Sequence, residues 1–203
     1  MRCLAAIHSS IDAMQGDASA TPTSVYPQAA CERMPALLAH RIALRAEHDT
    51  DVPWLRDLYA GTRSDELAHV PWPEATKRAF VDQQFALQRT HYRQHYPDAD
   101  FLIVQTPDER IGRLYLQRAA VQHVLVDISL LSHWRGKGVG TALIMHAQAL
   151  AQAAGCGVAL HVLHANPAAR RLYARLGFLA GDTSSTHLAM HWQPAERAAT
   201  PLS

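Results

Sequence analysis

Asp127-Ile128-Ser129-Leu130-Leu131-Ser132-His133-Trp134-Arg135-Gly136-Lys137-Gly138-Val139-Gly140-Thr141-Ala142 is the stretch on which the fold turns. His123 to Leu131 alternates and is rich in Val, Ile and Leu, as a strand should be. It enters a glycine-rich turn, which opens directly into an Ala-rich helix over Thr141 to Ala154, stopped by Gly155. Such a junction leaves backbone N–H groups unpaired at the positive end of the helix dipole. Glycines let that backbone adopt positive φ and approach a bulky anion, and Arg135 and Lys137 add formal charge beside it. A pyrophosphate suits these surroundings. The two familiar nucleotide loops fail on spacing. G-x-G-x-x-G meets Thr141 where its third Gly belongs, and G-x-x-x-x-G-K-[ST] finds no frame around Gly136 to Gly140. A plain β–α turn with solvated Arg135 and Lys137 is the alternative.

Upstream, Ile42 to Arg45 predicts a first strand, and Asp51 with Pro53 opens a helix expected to run to about Ala60. A long helix is expected from about Glu74 to Tyr96, with Val81, Phe85, Tyr92 and Tyr96 at helical spacing and Pro97 ending it. Phe101 to Val104 and Ile111 to Leu116 flank a hairpin turn. Downstream, Val158 to Leu163 predicts a buried strand, Pro167 starts a helix ending at Gly177, and Leu188, Met190 and Trp192 alternate in a last strand. The order β-α-α-β-β-β-α-β-α-β makes an α/β chain with a mixed sheet and helices on both sides.

The ends differ from the middle. Residues 1 to 40, rich in small and polar types from Gln15 to Gln28, are expected to form a flexible extension. One compact domain spans 41 to 193, and 194 to 203 form a flexible tail. Lys plus Arg (19) nearly balances Asp plus Glu (18) in 203 residues, which disfavours nucleic-acid and membrane partners. Cys3, Cys31 and Cys156 make no CxxC pair, and no apolar run approaches a bilayer span, so a cytoplasmic location is expected. Thirteen histidines include His91 and His95 at i, i+4 and the neighbours His161 and His164. No H-E-x-x-H or acidic ligand set accompanies them, and no metal is expected.

The loop and a second motif together resemble the GNAT superfamily of N-acetyltransferases over about residues 41 to 193. Arg135, Gly138 and Gly140 match that family's [Q/R]-x-x-G-x-[G/A]. Asn166-Pro167-Ala168-Ala169-Arg170-Arg171-Leu172-Tyr173-Ala174-Arg175-Leu176-Gly177-Phe178 looks like its N-x-x-A-x-x-x-Y-x-x-x-G-F. The resemblance implies a mostly antiparallel central sheet in which one parallel pair, the strand ending near Leu131 and the strand Val158 to Leu163, splays apart. The pantetheine arm of acetyl-CoA would fill the gap beside Leu130, Leu131 and Ser132. Arg135 and residues Gly136, Lys137, Gly138, Val139, Gly140 and Thr141 would take the pyrophosphate. Asn166 would hold the pantetheine, with Ala169 leaving it room.

The implied reaction moves an acetyl group from acetyl-CoA to a primary amine, on a small molecule or a peptide, by direct attack in a ternary complex. A non-catalytic acyl-CoA-binding module on the same fold is the alternative, and a homodimer is compatible with either. Tyr173 is the candidate acid, because a phenol with a pKa of about 10 stays protonated at neutral pH and can protonate a leaving thiolate. Its alternative is simple packing in an amphipathic helix. An alkylamine of pKa about 10.4 must lose a proton before attack, at a cost of roughly 4 to 5 kcal/mol at pH 7. Asp127 is the candidate acceptor of that proton, or else a structural acid. The family often has Pro where Ser132 stands, so the strand exit is expected to differ slightly. Arg63 and Glu66 are candidates for substrate binding, through a carboxylate and an amine respectively, although a solvated turn is the default there. Gln84, Gln88, His91 and His95 form a polar stripe expected to face solvent, with a place lining the cleft as the alternative.

Overall fold

The computed structural model describes residues 35–195. The expectations of a flexible extension and tail therefore fall largely outside the described residues. A short helix α1 (Pro35–Ala39) precedes strand β1 (Ala43–Ala46), helix α2 (Val52–Leu67) and the long helix α3 (Glu74–His95). Strands β2 (Asp100–Gln105), β3 (Arg110–Arg118) and β4 (Gln122–Leu130) lead through the glycine loop into α4 (Val139–Ala154). Strand β5 (Gly157–Leu163), helix α5 (Pro167–Arg175) and strands β6 (Leu179–Thr183) and β7 (His187–Trp192) complete the order.

The described strands form one sheet in the order β1-β2-β3-β4-β5-β7-β6. Every neighbouring pair is antiparallel except β4 with β5. That parallel ladder is short. It runs from Gln122 opposite Gly157 to Leu125 opposite Leu160, and both strands continue beyond it without pairing to each other. A bulge in β4 accompanies the divergence: Leu116 pairs with Leu125 and Tyr115 with Asp127, so Val126 is the extra residue.

Two layers of helix cover the sheet. On one face, α1, α4 and α5 bury Leu37, Leu143, Ile144, Ala147 and Tyr173 against Leu114, Leu125, Ile128, Leu160 and Val162. On the other, α2 and α3 bury Leu55, Leu58, Tyr59, Val81 and Phe85 against Ile103, while Tyr92 meets Phe101, Tyr115 and Val126. The inward stripe of α3 follows the helical period, and Val81, Phe85, Gln88 and Tyr92 are its buried positions.

Several expectations are corrected. Helix α2 runs about two turns past Ala60, to Leu67, because no breaker lies between Gly61 and Ala68 and Leu67 still packs inward. Strand β6 was not expected. All five of its residues are exposed, so it carries no alternation to read. Helix α1 lies inside the segment assigned to the extension, yet Leu37 is fully buried in the main core. Truncating such a side chain costs about 2–5 kcal/mol, so the compact part reaches back at least to α1. Gln88, placed on a solvent stripe, is buried and accepts a 2.7 Å hydrogen bond from Arg113.

Candidate functional site

The turn between β4 and α4 is held by a chain of local bonds. Leu131 N–H donates to Ile111 O at 2.9 Å, Trp134 N–H to Leu131 O at 3.0 Å and Arg135 N–H to Ser132 O at 3.1 Å. Arg135 Nε reaches back to Leu130 O at 3.0 Å, closing the turn. Trp134 Nε1 donates to Glu109 Oε1 at 2.7 Å, tying the turn to the β2–β3 hairpin, and Lys137 lies 5.3 Å from the Trp134 ring centroid. Donation from Trp134, then from His133, holds the Glu109 carboxyl below its ordinary value.

Gly136 and Gly138 both sit in the left-handed region, at φ +74° and +84°. A side chain there is strained whatever the space, which is the reason for glycine at these two positions. Gly138 is the N-cap of α4, and its carbonyl accepts the first helical bond, from Ala142 at 3.0 Å. The amides of the first turn, Val139 to Thr141, thus have no acceptor within the helix and point out of its positive end. Nothing lies within 4 Å of where a Gly136 Cβ would stand, so that flank of the cradle is open.

Helix α5, which carries the second motif, follows β5 and packs against it. Asn166 is its N-cap and accepts from Ala169 N–H at 3.1 Å. Ala169 and Tyr173 face inward and are buried, and the Tyr173 ring lies 5.6 Å from that of Phe178.

Asp127 is buried beneath α3. One oxygen is paired with Arg113 and the other accepts from Ser129 Oγ at 3.0 Å. Burial pushes the Asp127 carboxyl up, and the Arg113 charge opposes that rise. Its carboxylate is thus engaged on both oxygens, with Arg113 also bonded to Gln88. Arg63 and Glu66 stand on the last turns of α2 rather than in a connecting turn, and they pair with each other at 3.0 Å.

A residue weighed in the sequence only as a metal ligand stands at a more telling place. His161 is the first residue of β5 beyond the last pair with β4. Leu160 and Val162 point into the core, so His161 faces the other side and is exposed. It pairs with Ala189 of β7, and His187 and His191 lie on the same face. Crowding around the ring, then His187 and His191, lower its pKa from the ordinary 6.5. The alternation of Val158 to Leu163 could have put His161 on this face. Only strand pairing could put it at the fork. Among the described residues, no group of three or more His, Cys, Asp or Glu is arranged to hold a metal ion, and no helix is long and apolar enough to cross a membrane.

Residues 55–178 match the family model described as the acetyltransferase (GNAT) family. No curated protein matches the chain. Among solved structures, a PaiA N-acetyltransferase from Thermoplasma acidophilum in complex with coenzyme A is similar with a TM-score of 0.58 at 20% identity, covering 75% of this chain and 99% of that one. The ribosomal-protein-S18-alanine N-acetyltransferase from Escherichia coli is similar with a TM-score of 0.53 at 17% identity, covering 80% and 99%. Arabidopsis thaliana Naa50 in complex with the bisubstrate analogue CoA-Ac-MVNAL gives 0.51 at 17% identity, covering 74% and 97%.

Proposed function

The chain belongs to the acetyltransferase (GNAT) family, and from that premise we propose that it moves an acetyl group from acetyl-CoA to a primary amine in a single ternary complex. The observation that carries this reading is the early end of the β4–β5 ladder at Leu125 and Leu160, just ahead of the glycine cradle that opens α4. The open edge of β4 from Val126 to Leu130 offers backbone groups to an extended pantetheine, next to Leu131 and Ser132. The amides from Gly136 to Thr141 take the pyrophosphate, with Arg135 and Lys137 beside them. Asn166 and Ala169 bound the opposite side of the gap.

In the reaction the amine nitrogen attacks the thioester carbon, and its proton must leave as the C–N bond forms. We assign that proton to the His161 imidazole, which is kept neutral near pH 7 and stands at the fork of the strands. Asp127 then has a positioning role: its pair with Arg113 ties β4 to β3 and, through Gln88, to α3. Backbone N–H groups along the gap stabilise the oxyanion as the carbonyl becomes tetrahedral. The C–S bond breaks and the thiolate takes a proton from the Tyr173 hydroxyl. Holding both reactants in one cleft turns a bimolecular encounter into an oriented one. Arg63 and Glu66, paired with each other, contribute at most a charged rim to the acceptor's approach.

The test is release of free thiol from acetyl-CoA across a panel of small amines and peptide N-termini. Release that requires both protein and amine supports the reading. Absence of release, together with no coenzyme A binding by calorimetry, removes it.

A further inference from the structure

Building on acetyl-CoA binding in the glycine loop, we infer that His40 is a further ligand for the cofactor's diphosphate, brought to the loop by α1. A Cβ on Gly138 would stand 3.2 Å from His40 Nε2 and 3.3 Å from its Cε1. The nitrogen-bearing edge of the imidazole thus rests against the left-handed glycine that caps α4, beside the first free amides of that helix.

The turn that carries His40 is tightly fixed. Leu37 on one side and Ile42 on the other are buried in the main core, and Ile42 N–H donates to Leu37 O at 2.9 Å. Between them Arg41 takes φ +52° and donates its N–H to Leu38 O at 2.9 Å. Among the described residues Arg41 is the only one other than glycine with positive φ. A side-chain-bearing residue holds that conformation only where its surroundings over-determine it. Two buried anchors and a strained residue therefore set where the ring lies.

The ring is also available. None of the hydrogen bonds among the described residues engages it. Of the loop's own cations, Arg135 commits its Nε to Leu130 O, and Lys137 lies 5.3 Å from the Trp134 ring centroid. An imidazole N–H adds a directional donor to a phosphate oxygen, and such charge-assisted bonds are stronger than neutral ones. Neither sequence motif contains residue 40, so this contact is a property of the chain's own N-terminal packing.

The test is calorimetric binding of three probes, coenzyme A, dephospho-coenzyme A and pantetheine, to the full chain and to His40→Ala and His40→Gln. Coenzyme A and dephospho-coenzyme A should each bind about 10-fold more weakly to the Ala variant, as expected for losing a hydrogen bond to a charged group. Pantetheine, which has no phosphate, should bind the variant and the parent alike, and Gln should recover part of the loss. Equal or tighter coenzyme A binding by the Ala variant overturns the inference. So does a loss seen with coenzyme A but not with dephospho-coenzyme A, which would place the contact at the 3′-phosphate. Equal loss in both variants with a lowered melting temperature also overturns it, because the turn itself would then be at fault. If the parent protein fails to bind coenzyme A, the glycine-loop reading falls and this inference falls with it.

Discussion

Arg113 on β3 and Asp127 on β4 form a buried ion pair beneath the long helix α3, with Gln88 bonded to the arginine and Ser129 to the aspartate. Burial pulls the guanidinium's proton affinity down, but the Asp127 charge outweighs it and keeps Arg113 protonated. Removing one partner of such a pair strands the other charge out of water. Asp127→Asn should therefore lower unfolding free energy by about 3–5 kcal/mol in urea titrations. Replacing Arg113 and Asp127 together with apolar residues of similar volume should recover most of that loss.

The cradle has a sharp requirement at Gly138. Its φ of +84° disfavours any side chain, and a Cβ there would stand tightly against His40, 3.2 Å from Nε2. Gly138→Glu adds bulk and negative charge where a phosphate must sit. Coenzyme A binding should fall below detection by calorimetry.

Tyr173→Phe tests protonation of the leaving thiolate. The ring is buried and packs near Phe178, so Phe should keep the fold and the cofactor's affinity. Turnover should drop by about 10- to 1,000-fold with little change in KM for acetyl-CoA, as for loss of a positioned general acid. Equal turnover would leave Tyr173 a packing residue.

His161→Gln tests proton acceptance. Crowding and two neighbouring imidazoles lower the His161 pKa from 6.5, so the base form already dominates at neutral pH. The kcat/KM profile of the parent should fall on the acidic side with a midpoint below that ordinary value. In the Gln variant that limb should vanish and the plateau should drop. An unchanged profile would place the base elsewhere.

A second histidine should show in stability rather than rate. Burial first, and then the Arg118 charge, push His146 on α4 down to about 4 from an ordinary 6.5. Between those values the unfolded chain binds the proton and the folded chain does not, so stability falls as pH drops from about 6.5 to about 4. The loss over that window should be on the order of 3 kcal/mol. His146→Gln should flatten that slope in urea titrations at stepped pH.

Much of this molecule was legible along the chain. The glycine cradle, its flanking strand and helix, and the cap at Asn166 are local. Positive-φ glycines, helix ends and apolar periodicity are each decided within a few residues of themselves. That is why α3, β3 and α4 fall near their expected bounds, whereas Arg135, Gly138, Gly140 and Asn166 are singled out as a set by the resemblance of two short motifs to a known family. Strand β6 was invisible for the same reason, because five exposed residues have no buried face to betray a period. The rest depended on which strands become neighbours. Pairing of β4 with β5 only as far as Leu125 placed His161 at the fork, and pairing of β3 with β4 gave Asp127 its arginine. Packing of α1 onto α4 laid His40 against Gly138, almost a hundred residues away. Proximities of that kind come from burying distant apolar faces together, a global balance that no local window contains.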